Sequence, residues 1–138
     1  MFNKPWSEIK RQPLPPEVDA RLGILLTKID DFCGGMLYVH RLHDPHTRPT
    51  SQHFFGRAAD IHILGMHVLD QFVLAERFSP GGLGVYPKDV WTYTPGLHVD
   101  VRSTDVGRRW AYRGDGEGGR IVMPIGKLFF KHVLSLDD

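Results

Sequence analysis

Ser-Gln-His-Phe-Phe-Gly-Arg-Ala-Ala-Asp occupies residues 51–60, and Ile-His-Ile-Leu continues the chain through residues 61–64. Apolar and polar side chains alternate here, with Ala59, Ile61 and Ile63 on one side and Ala58, Asp60 and His62 on the other. Alternation with a period of two residues is typical of a β-strand with one buried face. The pattern predicts a strand over residues 57–64 whose polar face carries Asp60 and His62.

A second segment, residues 97–102, has the same pattern. Its apolar residues Leu97, Val99 and Val101 alternate with His98, Asp100 and Arg102. If the two strands are neighbours that share an apolar face, their polar residues point to one side of the sheet. The residues expected there are Asp60, His62, His98 and Asp100.

His53 lies just before the first strand, and Gly56 allows the tight backbone that would aim its imidazole at Asp60. Two neutral imidazoles and one carboxylate from such a group form a three-ligand zinc set, which leaves a fourth position for water. The sequence therefore predicts a metal site on the polar side of the sheet.

The composition limits the possible chemistry. The 138 residues fit one domain, and 17 Lys and Arg against 16 Asp and Glu leave a net charge of +1. Such a balance gives no electrostatic argument for nucleic acid or a membrane as a partner. The single cysteine, Cys33, excludes an internal disulfide and a cysteine-rich zinc site. A metal must therefore be held by His and carboxylate side chains, and we expect Cys33 to be a buried or half-buried small apolar residue.

Elsewhere the 15 Gly and 10 Pro predict many turns between short elements. Residues 1–16 are polar and proline-rich and predict an extended lead-in. The other predicted elements are helices over residues 17–32, 66–78 and 121–136, strands over 36–41 and 83–86, and loops over 42–52 and 103–120. Residues 1–138 are thus expected to form a single α+β domain, with a small antiparallel sheet flanked by helices.

Four segments together resemble a known family: Ser51-x-His53-x-x-Gly56-x-Ala58-x-Asp60, Gly84-Val-Tyr-Pro87, Leu97-His98-Val-Asp100-Val and Arg109-Trp110. The family is the zinc D-Ala-D-Ala carboxypeptidase and murein endopeptidase superfamily, whose fold is shared with the hedgehog signalling domain. The first segment is specific because five fixed positions fall within ten residues. The resemblance covers about residues 17–112.

This resemblance implies a zinc ion held by His53, Asp60 and His98 in a hedgehog-like peptidase domain. It also implies hydrolysis of peptide bonds in bacterial peptidoglycan stem peptides or crosslinks, by a D,D-carboxypeptidase or an endopeptidase. Arg41 occupies the place of a family arginine that contacts the substrate carboxylate or the polarised carbonyl.

The sequence departs from the family at Pro95. Many members have an Asp or Glu three residues before the last zinc histidine as general base, and proline cannot exchange a proton. Asp100 is the natural substitute, because it lies two residues from His98 on the same face of a strand. It could equally accept a hydrogen bond that orients a histidine. A catalytically inactive zinc-binding domain, acting as a cell-wall or protein binding module, is the alternative that Pro95 favours.

The other histidines and the aromatic residues have less specific expectations. His40, His43, His46 and His62 are expected at the surface or in the substrate cleft, with a second metal site as the alternative for the first three. His67 and His132 are expected to be solvated or capping residues. The aromatic side chains Tyr86, Trp91, Tyr93 and Trp110 are expected to belong to the core or to line the cleft.

The N-terminal segment has no apolar run of signal-peptide length, and no window approaches a membrane span. We therefore expect a protein that is cytoplasmic as synthesised. A monomer is the default for a compact chain of 138 residues, and the resemblance implies a peptidoglycan peptide as its partner. A phage-encoded lysin, which reaches the cell wall by another route, would reconcile this location with an extracytoplasmic substrate.

Overall fold

The computed structural model describes residues 3–103 and 107–137, which form seven strands and four helices. The strands are β1 (Lys4–Pro5), β2 (Leu37–Arg41), β3 (Ala58–Ile63), β4 (Gly82–Tyr86), β5 (Gly96–Asp100), β6 (Arg108–Gly114) and β7 (Arg120–Met123). The helices are α1 (Trp6–Ile9), α2 (Ala20–Phe32), α3 (Val68–Glu76) and α4 (Lys127–Ser135). In the described part of the chain, no helix has the length and apolar character needed to cross a bilayer.

All seven strands belong to one sheet in the order β1-β2-β3-β5-β4-β6-β7. The β4–β6 pair is parallel, and the other neighbouring pairs are antiparallel. The prediction of one α+β domain is confirmed, but the sheet is larger than the small sheet expected, and it is mixed. The two polar strands of the sequence are indeed neighbours, because β3 pairs with β5 and sets Asp60 opposite His98.

The apolar face of this sheet packs against the helices. Ile61, Leu97 and Val99 are fully buried there, together with Leu22, Leu26 and Ile29 of α2. Phe129 and Val133 of α4 belong to the same core. Each such side chain stabilises the fold by about 1.5–3 kcal/mol when it is fully buried. The helices packed on the apolar face therefore keep the sheet that carries the polar residues rigid.

The C-terminal third differs from its prediction. The expected loop over residues 103–120 contains β6, and its residues 104–106 lie outside the described part of the chain. The expected helix over 121–136 is strand β7 followed by the shorter helix α4. β6 and β7 pair with each other, and β6 also pairs with β4. The Gly- and Arg-rich composition hid these strands because their pairing is set by distant parts of the chain.

The lead-in is also not simply extended. Its residues 4–9 form β1 and α1, and Trp6 is 1% exposed in the core. The indole Nε1 of Trp6 donates a hydrogen bond to Thr27 Oγ1 of α2 at 3.1 Å. This segment is therefore anchored to the domain by a large buried side chain.

The loop between β2 and β3 delivers His53 to the sheet. Its backbone is fixed by hydrogen bonds from Asp44 N to His53 O at 3.0 Å and from Gly56 N to His53 O at 3.1 Å. Gly56 has φ +69°, and a Cβ atom there would collide with the carbonyl of Glu17. Only glycine meets both conditions, as the tight turn inferred from the sequence requires.

Candidate metal centre

Three side chains from separate parts of the fold converge on the polar side of β3 and β5. The possible ligand atoms of His53, Asp60 and His98 all lie within 4.8 Å of one another, and the three residues are buried. The Nε2 atom of His53 is 3.2 Å from Asp60 Oδ1, and the Nδ1 atom of His98 is 3.6 Å from the same oxygen. This group could hold a metal ion.

The hydrogen bond of the second ring nitrogen fixes the tautomer of His53. Its Nδ1 lies 3.0 Å from the carbonyl oxygen of Leu42. A carbonyl oxygen only accepts, so Nδ1 carries a proton, and in its neutral form the ring presents a lone pair at Nε2. Nε2 is the atom that faces Asp60, so the ring is oriented as a metal ligand requires.

His98 is fixed in the same way by a different acceptor. Its Nε2 lies 2.7 Å from Asp100 Oδ2. Burial alone raises the pKa of the Asp100 carboxyl, but hydrogen bonds from His98 and Arg102 outweigh burial and hold that pKa well below its usual range. The ionised carboxylate accepts a hydrogen bond from Nε2, and in its neutral form the ring turns the lone pair of Nδ1 toward Asp60.

The donor count supports a cation between these groups. With both second nitrogens engaged, each ring in its neutral form turns a lone pair toward the Asp60 carboxylate. Burial lowers the pKa of His98, but its hydrogen bonds with Asp100 and Asp60 raise that pKa by more. A positive charge is thus favoured at this point, and a divalent ion that accepts two nitrogens and one oxygen fits the donor set.

Arg41 of β2 lies beside the same carboxylate. Its Nε donates to Asp60 Oδ2 at 3.1 Å, and its Nη1 lies 3.4 Å from Asp44 Oδ2. Burial raises the pKa of the Asp60 carboxyl, but hydrogen bonds from His53 and His98 lower it well below its usual range. Arg41 also lines a pocket of about 360 Å³. The other lining residues are Ile9, Pro15, Val18, Leu42, His43, Asp44, Pro45 and His46.

Asp100 lies on the far side of the His98 ring from Asp60. It is 0% exposed, and its carboxylate also accepts hydrogen bonds from Arg102 Nε at 2.9 Å and from the Arg102 backbone N at 3.1 Å. A Cβ atom at Gly82 would collide with this carboxylate. Of the two roles that the sequence leaves open, this placement favours the acceptor that orients a histidine.

The polar face of the sheet is more covered than the alternation predicts, because every residue of β3 and β5 is buried. The Trp110 ring lies over Gly84, where a Cβ would meet the indole at 2.6 Å, and its centroid is 5.0 Å from that of His98. Tyr86 stacks between Trp91 at 3.9 Å and Tyr112 at 4.8 Å. Of these aromatic residues, Trp110 is the one that packs directly against a candidate ligand, His98.

A second pair of histidines lies on this face. His40 Nε2 and His62 Nδ1 are 2.6 Å apart, and the His40 ring lies 5.3 Å from that of Trp91. Burial, followed by the charge of His40, lowers the pKa of His62 to about 4, so this ring is neutral at pH 7. His62 lies on the same face of β3 as Asp60, two residues along the strand, so the pair is close to the candidate metal site. The sequence predicted a position in the cleft or at the surface for both histidines.

The structure brings together all five residues singled out from the sequence, namely Arg41, His53, Asp60, His98 and Asp100. His67 caps α3 by accepting a hydrogen bond from Leu69 N, and Cys33 is half-buried at the end of α2. Sequence reasoning gave no role to Leu42, whose contribution is a backbone carbonyl, or to Arg102. Arg102 could have been identified, because the alternation places it on the same strand face as His98 and Asp100.

Comparisons with protein-family models, with curated proteins and with solved structures gave no match to this chain.

Proposed function

We propose that this protein is a zinc-dependent peptidase that hydrolyses peptide bonds in peptidoglycan stem peptides or crosslinks. One observation supports the metal: the possible ligand atoms of His53, Asp60 and His98 converge within 4.8 Å, and the second nitrogen of each ring is engaged by another acceptor. The substrate class rests on the resemblance of the sequence segments that hold these ligands to the zinc D-Ala-D-Ala carboxypeptidase superfamily.

His53, Asp60 and His98 are the ligands in this proposal. Three protein ligands of nitrogen and oxygen are typical of catalytic zinc sites, since structural sites are closed by four. A zinc ion here supplies Lewis acidity, which polarises a carbonyl and activates water. Leu42 and Asp100 orient the two rings, so the ligand atoms require little rearrangement to bind.

Arg41 is the substrate-binding group in this proposal. Arg41 Nε donates to Asp60, and Arg41 is also one of the residues that line the pocket of about 360 Å³, a volume within the usual range for small ligands. The pocket walls combine Ile9, Val18 and Leu42 with this cation. Such a lining suits a short peptide with small apolar side chains and a carboxylate, which can bind a guanidinium through two oxygens.

A second candidate function, metal binding without catalysis, is favoured by the lack, in the described part of the chain, of an acidic residue placed to act as general base. Pro95 cannot accept a proton, and the carboxylate of Asp100 is buried behind His98 and held by Arg102. The histidine pair His40 and His62 is the remaining source of a proton acceptor that we assign to this face. If that pair does not act, the domain binds metal without catalysis and serves as a cell-wall or protein binding module.

The test is to incubate the zinc-loaded protein with purified crosslinked muropeptides and to follow the products by mass spectrometry. We expect one defined bond to a D-amino acid to be cut by the wild type and not by His98→Ala. Stoichiometric zinc, measured by elemental analysis, without any cleavage would support the binding module instead. Absence of zinc from protein loaded in chelator-free buffer would contradict both candidates.

A further inference from the structure

Arg102 makes an unusually complete set of contacts with one buried carboxylate. Its Nη2 lies 2.6 Å from Asp100 Oδ2, and its Nε lies 2.9 Å from both carboxylate oxygens. The Arg102 backbone N adds a bond to Oδ1 at 3.1 Å. A carboxylate with no exposed surface needs a paired charge and satisfied lone pairs, and Arg102 supplies both.

The guanidinium is itself held from the other side. Its Cζ lies 5.3 Å from the centroid of the Trp110 ring, which is a cation–π distance. Trp110 in turn contacts the His98 ring at a centroid distance of 5.0 Å. The four residues Arg102, Asp100, His98 and Trp110 thus form a closed cluster on the side of His98 that faces away from Asp60.

We propose that Arg102 is a positioning residue for the metal centre: it holds the Asp100 carboxylate so that His98 keeps its proton on Nε2 and points Nδ1 at the metal position. The inference deepens the proposed function and rests on it in one respect, the assignment of His98 as a metal ligand. Arg102 does not touch the metal position and acts through Asp100.

The physical reason is that the neutral His98 ring can carry its proton on either Nε2 or Nδ1. His98 Nε2 has a fixed acceptor only while Asp100 Oδ2 stays 2.7 Å away. Without the Arg102 side chain, the carboxylate loses two donor groups, Nε and Nη2, and keeps only the backbone N of residue 102 beside His98. The imidazole can then carry its proton on Nδ1, and a protonated Nδ1 cannot bind a metal. Loss of such an outer hydrogen bond typically lowers metal affinity by about 10- to 100-fold.

Two variants separate the charge of Arg102 from its geometry. Arg102→Met keeps the length of the side chain and removes all side-chain donors. Arg102→Lys keeps the charge but not the planar fork that reaches both oxygens. Arg109→Met is the matched control, because Arg109 also pairs with a carboxylate, Glu76 at 2.7 Å, and has a similar exposure of 23% against 18% for Arg102. The ion pair of Arg109 is with Glu76 of α3 and does not involve Asp100.

The experiment has two measurements. Zinc affinity is measured by competition with a chromophoric chelator, and the tautomer of His98 is read from ring ¹⁵N shifts of the metal-free protein above the pKa of the ring. We expect zinc affinity to fall about 10- to 100-fold in Arg102→Met, less in Arg102→Lys, and not in Arg109→Met. The Nε2–H form should dominate in the wild type and in Arg109→Met, and both forms should appear in Arg102→Met.

Unchanged zinc affinity together with an unchanged tautomer in Arg102→Met would overturn the proposal. If circular dichroism shows Arg102→Met to be unfolded, Arg102→Lys decides by the same two measurements. A wild type that binds zinc but cuts no muropeptide removes the peptidase and leaves this inference standing. A wild type that binds no zinc overturns the metal role, because Arg102 would then position no ligand.

Discussion

His53 Nε2 lies 3.2 Å from Asp60 Oδ1, and His53 Nδ1 lies 3.0 Å from the carbonyl oxygen of Leu42, so both facing atoms are acceptors when the ring is neutral. Two acceptors at this distance repel each other in a buried site unless a proton or a metal ion lies between them. A cation bound between these two atoms should therefore stabilise the folded protein.

Zinc should raise the unfolding temperature of the wild type. At a free zinc concentration of 100 times the dissociation constant, the expected stabilisation is about 2.7 kcal/mol. His53→Ala, Asp60→Asn and His98→Ala should each lose most of this shift, as measured by calorimetry with and without zinc. His132→Ala is the control, because His132 pairs with Asp89 at 2.8 Å outside the group and should keep the full shift.

Gly84→Ala should destabilise the protein by about 1–3 kcal/mol, measured by denaturant unfolding. The new Cβ would lie 2.6 Å from the Trp110 indole, which must move away from His98 to accommodate it. Gly23→Ala in α2 is the contrast, because its Cβ meets the flexible end of Leu14 at 3.3 Å. That variant should be neutral or stabilising by up to about 1 kcal/mol, since alanine favours a helix. Equal effects of the two substitutions would contradict the packing argument.

Trp6→Ala should cost about 3–5 kcal/mol of the free energy of unfolding, because the side chain is 1% exposed in the core. Trp6→Phe keeps an aromatic ring but loses the hydrogen bond to Thr27, so its cost should be smaller. Urea titrations of the three proteins measure both values. A negligible cost for Trp6→Ala would mean that residues 4–9 do not pack as described.

Asp19 should contribute a pH-dependent stability to α2. It is the N-cap of that helix, and the hydrogen bonds from Arg21 lower the pKa of its carboxyl to about 2. The unfolded value is about 3.9, so the contribution of the charge is complete above that pH and is lost as the pH falls through about 2. Asp19→Asn keeps a capping oxygen and removes the charge. The difference in unfolding free energy between wild type and Asp19→Asn should therefore shrink as the pH falls from 4 to 2.

Asp19→Ala removes the capping oxygen as well, and it should cost about 1 kcal/mol at neutral pH. A difference between wild type and Asp19→Asn that is constant with pH would show that the carboxylate charge does not act on the helix.

The candidate site could be predicted from the sequence to the extent that it depends on local pattern. Alternation placed Asp60 and His98 on polar faces, and the spacing of His53, Gly56 and Asp60 required a turn that Gly56 adopts with φ +69°. These features follow from the two-residue period of a strand and from the steric freedom of glycine, both of which act over a few residues.

The contacts that define the chemistry needed the tertiary structure. The carbonyl of Leu42 has no signature in the sequence, because every residue carries one. Whether Asp100 faces the metal position or the back of His98 depends on rotamers that Arg102 and Trp110 select, and Gly82 and Gly84 on β4 make room for them.

The sequence by itself determined which side chains could form an N,O metal site, since its one cysteine left no other ligand set. It also determined the α+β class. The tertiary structure decided the pairing of β6 with β4 and β7, the anchoring of Trp6, and the coverage of the polar face. The reason is that strand pairing and burial depend on contacts between residues far apart in the chain, whereas hydrophobic period and turn chemistry act between neighbours.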